Sequence, residues 1–282
     1  AKASPLGRIH DIMLQLRERI GFWRPPHVRK LVHVTAAHRL WTDSQQREGA
    51  RAVLSGSNLR GADLAKTQLP GADLSGADLT ASALSGSDLR EADLSGASLN
   101  RANLCDADLR QAGLSRAQAV NADFSRANLS LADLSRATMT GATLRNAALY
   151  RACLRGAELD GADLSGADLR EANMSQTESS RTDLSYADLT QANLRLANLA
   201  HADLKFTRLF RAHLEGADLH GADLQAADLT GADLRGADLT EAQLTTEQAA
   251  SAVIDETTFL PAGLKPAGQP TGSSSRSEIK TH

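Results

Sequence analysis

The apolar positions of this chain recur neither at the three- and four-residue spacing of an amphipathic helix nor in the alternation of a half-buried strand; they recur every fifth residue. From Leu54 to Leu244 the centre of each quintet is Leu in 34 of 39 units, the exceptions being Ala119, Phe124, Met139, Met174 and Ser179. Two residues before the centre stands Ala in 32 units and Ser or Thr in the other seven. Asp or Asn usually fills the place between, and fourteen of the 21 glycines fall two residues after the centre, as Gly71, Gly161 and Gly231 do. On an α-helix five residues advance about 500°, so successive leucines would scatter around the whole circumference. On a flat strand an odd period would send them to alternate faces. A backbone that turns a corner every five residues gives each Leu, and the Ala before it, the same inward environment. The pattern therefore predicts a chain coiled around its own axis, with glycine at the corners where a positive φ is free of Cβ strain.

The flanks follow other rules. Leu6, Ile9, Ile12, Met13, Leu16 and Ile20 have helical spacing, so residues 5–20 read as an amphipathic helix that Pro25-Pro26 ends. A second helix is expected from His27 to Trp41 and a third from Ser44 toward Ala52, with Asp43 or Ser44 as N-cap. After the repeats, Thr246 and Glu247-Gln248-Ala249-Ala250 suggest a short capped helix, followed by an extended stretch over 257–264. Pro, Gly and Ser dominate from Pro266 onward, a composition that predicts disorder. The chain thus divides into a basic helical N-terminal cap (1–51), the repeat region (52–244), a C-terminal cap (245–265) and a disordered tail (266–282). Caps are expected because the open edge of a terminal coil otherwise invites strand addition. Asp11 and Glu18 interrupt the basic character of the first helix, which favours a cap over docking to a membrane.

The units Gly-Ala-Asp-Leu-Ser (71–75), Gly-Ala-Asp-Leu-Arg (231–235) and Gln-Ala-Asn-Leu-Arg (191–195) resemble the A(D/N)LXX motif of pentapeptide repeat proteins, and the resemblance covers 191 of 282 residues. It implies an all-β fold: a right-handed, quadrilateral, parallel β-solenoid with four units per coil, closed by a small helical N-terminal cap and a short C-terminal cap. Thirty-nine units then form a rod of nearly ten coils, about 47 Å long at a strand spacing of about 4.8 Å. Residues twenty apart stack, which sets Met139 over Ala119, where its flexible side chain can fill the space the smaller residue leaves. Thr177, Ser179 and Thr182 bring three inward hydroxyls together, and a local irregularity is expected there because buried hydroxyls need partners.

Composition narrows the function. Aromatic residues are only 3% of the chain, so the interior must be built from aliphatic side chains. The net charge of −3 divides into +6 over 1–51, −8 over 52–244 and −1 beyond. Two cysteines cannot make a disulfide framework, and a reducing, cytoplasmic setting is expected. No apolar run has the length of a membrane span and no signal-peptide pattern opens the sequence. There is no glycine-rich phosphate loop, HExxH, CxxC or GxSxG, and His27, His33 and His38 lack accompanying Cys or acidic ligands. His201 and His220 share an edge with Asp160, Arg181 and Glu241, but every edge of such a rod is polar and no pocket is implied. No enzymatic activity, catalytic residue, cofactor or metal is expected.

Two surface features remain. Asp163, Asp183, Asp203 and Asp223 form an acidic column, and Arg208 interrupts a second one formed by Asp168, Asp188 and Asp228. Outward aromatics gather around one face: Tyr186 and Phe206 on one edge, Tyr150 and Phe210 on the next, accompanied by Arg208 and Arg211. Exposed aromatics beside arginines have the composition of a protein-binding hot spot, so the expected function is a rigid, non-enzymatic scaffold for protein–protein interaction with this patch as its contact. The resemblance implies an alternative, a DNA mimic that binds a type II topoisomerase (gyrase) through its acidic faces and makes no direct contact with nucleic acid. The terminal caps are candidates for a homodimer contact.

Overall fold

A computed structural model of the chain describes residues 26–45 and 47–264. The helix expected over 5–20 and the tail expected to be disordered lie outside the described residues. The regular elements among them are helix α1 (Pro26–Asp43), the coiled repeats and helix α2 (Thr246–Ser251).

In the repeat region the residue before each centre pairs in parallel with the residue twenty places on, from Val53 with Asp73 to Asp223 with Gln243, without a slip. Each contact is a single bridge; turns separate successive bridges, so the chain never runs straight for more than about three residues. A return after twenty residues means four quintets to a coil. The centres and the residues two before them are buried almost throughout, including Phe124, Met139 and Met174, and each such Leu contributes about 1.5–3 kcal/mol of burial.

Backbone satisfaction explains the motif. In the unit around Leu74, the Leu74 N–H donates to Asp93 C=O at 2.7 Å and the Gly76 N–H to Ser95 C=O at 2.8 Å, both on the next coil. The Asp73 N–H donates back to Ala52 C=O at 2.9 Å, and the Ala77 N–H closes the corner on Leu74 C=O at 3.1 Å. One N–H per unit, that of the residue after the centre, has no place in this ladder. Asp73 takes it up, its Oδ1 accepting from the Ser75 N–H at 3.1 Å; Asn and Asp do this readily through Asx turns. Where the preceding residue is Gln118 or Glu178, the coil below supplies the acceptor instead: Asn100 Oδ1 for the Val120 N–H at 2.9 Å and Asp160 Oδ1 for the Ser180 N–H at 3.0 Å.

Every corner from residue 56 to residue 241 has positive φ at its second residue after the centre, whether that residue is Gly or not. This is the position at which a type II turn demands φ above zero. The glycines mark the phase of the corners, but Lys66, Arg101, Leu131, Tyr186 and Phe206 are held in the same left-handed region.

The inward hydroxyls leave the register intact. Thr177 Oγ1 donates to Met174 C=O and Thr182 Oγ1 to Leu159 C=O, both at 2.9 Å, while Ser179 Oγ is buried without a partner. The expected irregularity reduces to lengthened corner bonds, 3.3 Å at Thr177 and 3.4 Å at Thr182 against 2.9 Å at Ala157, one coil below Thr177. The bridges on either side continue unbroken, the two threonine hydroxyls being satisfied by carbonyls of the wall itself.

Helix α1 starts on Pro26, a residue suited to the first helical turn. Val34 packs against the core of the coils, and His38 is fully buried with Nδ1 accepting from the Ala52 N–H at 2.9 Å. The third helix expected from Ser44 does not form. Ser44 Oγ accepts from the Glu48 N–H at 2.9 Å, and the chain doubles back so that the Ala50 N–H donates to Ala37 C=O at 3.2 Å. Gly49 makes this possible: at φ 82° it lies so close to α1 that a Cβ would stand 2.3 Å from Ala37 O. At the other end α2 forms as expected, with Thr245 as N-cap and a reciprocal Thr245–Gln248 capping box. Gln248 Nε2 also donates to Leu224 C=O and Ala227 C=O at 2.7 and 2.8 Å, tying the helix across the last full coil.

Candidate functional site

The twenty-residue return places the outward side chains in columns, two at each corner and one along each face. Tyr186 and Phe206 occupy the same corner position on successive coils, and their rings stack with centroids 4.9 Å apart and planes within 8°. They are 66% and 49% exposed. Tyr150 and Phe210 stand at the next corner around the coil, three coils apart and only partly exposed. The face between the two corners carries Asp168, Asp188, Arg208 and Asp228 in register.

The second corner is more polar than its aromatics suggested. The Arg151 and Arg170 guanidiniums lie 5.1 and 5.7 Å from the Tyr150 ring centroid, and Arg211 lies 5.0 Å from that of Phe210, distances at which a cation is drawn to an aromatic face. The Tyr150 hydroxyl donates to Glu171 Oε1 at 3.1 Å, and Arg151 Nε donates to Glu171 Oε2 at 2.7 Å. That second hydrogen bond is the chief reason the Glu171 carboxyl is held below the usual carboxylate range. A cleft of about 320 Å3 opens beside Tyr150, Arg170, Glu171 and Gln191, and a further one of about 580 Å3 includes Glu171, Gln191 and Arg211. Arg170, Glu171 and Gln191 were not singled out from the sequence, although the twenty-residue stacking of 150 with 170 and of 151 with 171 and 191 would have found them. Arg208 is largely exposed and reaches Asp188 at 3.6 Å.

The acidic column is stacked as the sequence implied, with Asp163, Asp183, Asp203 and Asp223 bridged in order. Its charge is partly cancelled. Arg145 pairs with Asp163 at 2.5 Å, and Lys205 Nζ lies 2.9 Å from Asp203 and 3.3 Å from Asp223. Hydrogen bonding to Asp203, then to Asp223, raises the Lys205 pKa. For Asp163 burial pushes the carboxyl up, but Ser165 and Arg145 outweigh it and the net shift is downward. Each of the four carboxylates also accepts an N–H of its own corner, as Asp183 does from Ser185 at 2.9 Å. The column is therefore part of the wall's own hydrogen bonding.

His201 and His220 meet edge to face with centroids 5.3 Å apart, and His220 Nδ1 lies 2.8 Å from Thr240 Oγ1. Asp160, on the same edge, is occupied by the Ser180 N–H and hydroxyl. Among the described residues no group of three His, Cys, Asp or Glu side chains is placed to hold a metal ion. Among them, too, no helix is long and apolar enough to cross a membrane.

The family model for pentapeptide repeats matches in eight copies between residues 50 and 245. The chain belongs to the pentapeptide repeat family. Solved structures similar to this pentapeptide repeat protein include HetL, involved in heterocyst differentiation regulation, from the cyanobacterium Nostoc sp. strain PCC 7120. It is 35% identical over 78% of this chain and 91% of its own, with a TM-score of 0.40. A pentapeptide repeat protein from the Arabidopsis thaliana thylakoid lumen is 29% identical over 43% of this chain and 70% of its own, with a TM-score of 0.27. A trypsin-treated form of QnrB1, a plasmid-mediated fluoroquinolone resistance protein, is 20% identical over 74% of this chain and 89% of its own, with a TM-score of 0.31. No curated protein matches the sequence.

Proposed function

We propose that the repeats form a right-handed quadrilateral β-solenoid that serves as a rigid, non-enzymatic scaffold, and that a protein partner docks on the face bordered by Tyr186 and Phe206 on one side and Tyr150 and Phe210 on the other. The observation that carries this reading is the Tyr186–Phe206 stack: two adjacent aromatic rings, parallel and largely in solvent, in a chain otherwise nearly free of aromatics. Exposing that much apolar surface brings no benefit to folding, and paired exposed aromatics are the usual anchors of protein interfaces. Arg208 and Arg211 supply polar contacts at its rim. The ladder makes the platform stiff, so binding would cost little ordering of the backbone.

Binding through the acidic column is the less favoured reading, because Arg145 and Lys205 already offset three of its four carboxylates. The two readings separate in one experiment. Proteins retained from native lysate by the full chain are quantified beside those retained by Tyr186→Ala/Phe206→Ala and by Asp163→Asn/Asp183→Asn/Asp203→Asn. The aromatic double variant is expected to lose a retained protein by at least about tenfold, as removal of a hot spot does, with little dependence on salt. Loss in the asparagine variant instead, fading as ionic strength rises, together with inhibition of purified type II topoisomerase supercoiling, would replace this proposal with the acidic one.

A further inference from the structure

On a corner separate from the aromatic face, one edge carries a positive cluster that the scaffold reading does not use. Arg116 and Arg136 occupy the same corner position on successive coils, and the Arg136 N–H donates to Arg155 C=O at 3.0 Å, which ties the third arginine to the same place. They line a cleft of about 630 Å3 together with Ser115, Ser135 and Cys153. Gly156, next above Arg136 in the column, carries no side chain and leaves the notch open; a Cβ there would meet Arg136 Cγ at 3.7 Å. Arg155 Nε reaches Gln176 Oε1 at 3.3 Å on the upper rim.

The cluster is distinguished by gathering three arginines without an acidic partner in one cleft; among the described residues Arg60, Arg101, Arg181 and Arg211 also lack such a partner, but none of them lines it. Elsewhere among the described residues ten arginines are paired with Asp or Glu, as in Arg110–Asp108, Arg126–Asp106 and Arg170–Asp168. Among the described residues none of Arg116, Arg136 and Arg155 has such a pair, although Asp133 lies in the same cleft, its Oδ1 accepting the Ser135 N–H at 2.9 Å. Like charges stacked on neighbouring coils repel one another, and a bound anion would relieve that repulsion. Guanidinium groups bind phosphoryl oxygens through paired, charge-assisted hydrogen bonds. An extended polyanion would have to lie along a repeat region whose net charge is −8, whereas a single phosphoryl group engages only the local cluster.

We propose that the cleft between Arg116, Arg136 and Arg155 is a binding site for a single phosphoryl group, either free phosphate or the phosphate of a phosphorylated side chain. The test uses the full chain titrated with inorganic phosphate, with a phosphoserine pentapeptide, with its unphosphorylated twin and with a single-stranded oligonucleotide. Alkylation by iodoacetamide is followed at Cys153, which lines the cleft, and at Cys105, a second free thiol on a different edge that serves as internal reference. The phosphoserine peptide is expected to bind and to slow alkylation at Cys153 alone, while its twin does neither. Arg116→Gln and Arg136→Gln are each expected to weaken binding about tenfold. Asp133→Asn retains the corner acceptor and removes the one opposing charge, so it should tighten binding about threefold, a gain that misfolding does not produce. Binding of inorganic phosphate without the peptide, with the same arginine dependence, also supports the site and identifies free phosphate as its ligand. Equal binding of the two peptides, affinity unchanged by the arginine variants, no protection of Cys153, or tighter binding of the oligonucleotide would each overturn the proposal.

Discussion

At the scale of single residues, the wall is governed by two requirements that recur every quintet: an acceptor for the N–H that the ladder omits, and a left-handed residue at the corner. The first is met by Asp or Asn before the centre, which is why that solvent-facing place beside a buried Leu is so often one of these two residues. The second is met by Gly at some corners and by strained L-residues at others. A left-handed L-residue costs roughly 1–2 kcal/mol, offset in part by the greater entropy glycine has in the unfolded chain. Gly61 and Ala81 make a clean comparison, being stacked in one column with φ near 64° and 55°. A Cβ on Gly61 would meet nothing within 4 Å, so Gly61→Ala tests backbone strain alone. It is expected to lower stability by about 0.5–1 kcal/mol and Ala81→Gly to raise it by a similar amount, as measured by denaturant unfolding. Equal effects of one sign would show that the corners are not left-handed in solution.

At the scale of elements, the join between α1 and the first coil depends on one neutral histidine. His38 Nδ1 accepts the Ala52 N–H, which fixes the proton of the neutral ring on Nε2, and the ring stacks on Trp41 with centroids 5.3 Å apart. Burial lowers its pKa, the Arg51 charge adds to this, and the Pro70 carbonyl and Asp88 act against it. The group favours the folded state fully above its unfolded pKa of about 6.5. That contribution is lost as pH falls from there toward the lower folded value, because the unfolded chain takes up the proton first. The thermal midpoint should therefore fall between pH 7.5 and pH 5.5, and His38→Gln should flatten the profile over that interval. A wild-type profile already flat there would mean that α1 does not rest on a buried, neutral His38. The sequence made this helix legible from His27 to Trp41, against Pro26–Asp43 in the structure, but not the turn that follows it. Whether Ser44 begins a helix or closes a turn depends on Gly49 lying against Ala37, a contact made only in the folded chain.

At the scale of the whole molecule, the quintet was legible because burial imposes the same choice, Leu at the centre and Ala before it, on every unit. The number of quintets per turn was not, because five-residue periodicity is satisfied by any regular polygon; it entered through the resemblance and corresponds to the twenty-residue bridging. The stacking of Tyr186 on Phe206 and the acidic column follow from that number alone. The counter-ions do not: nothing in the spacing tells that Arg145 turns toward Asp163, that Lys205 bridges Asp203 and Asp223, or that Arg116 and Arg136 stay unpaired, since long side chains on an edge choose among several neighbours. Both proposed surfaces rest on the same winding, and a disulfide trap tests it directly. With Cys105 and Cys153 replaced by Ser, the double variant Tyr186→Cys/Phe206→Cys is compared under mild oxidation with Tyr186→Cys/His201→Cys. Neighbouring coils about 4.8 Å apart lie within the Cα separations a disulfide spans, about 4.4–6.8 Å. Four quintets per coil require rapid cross-linking of 186 to 206 and none of 186 to 201. Cross-linking of the second pair, fifteen residues apart, would mean a three-sided coil and would dissolve the aromatic face and the arginine cleft together.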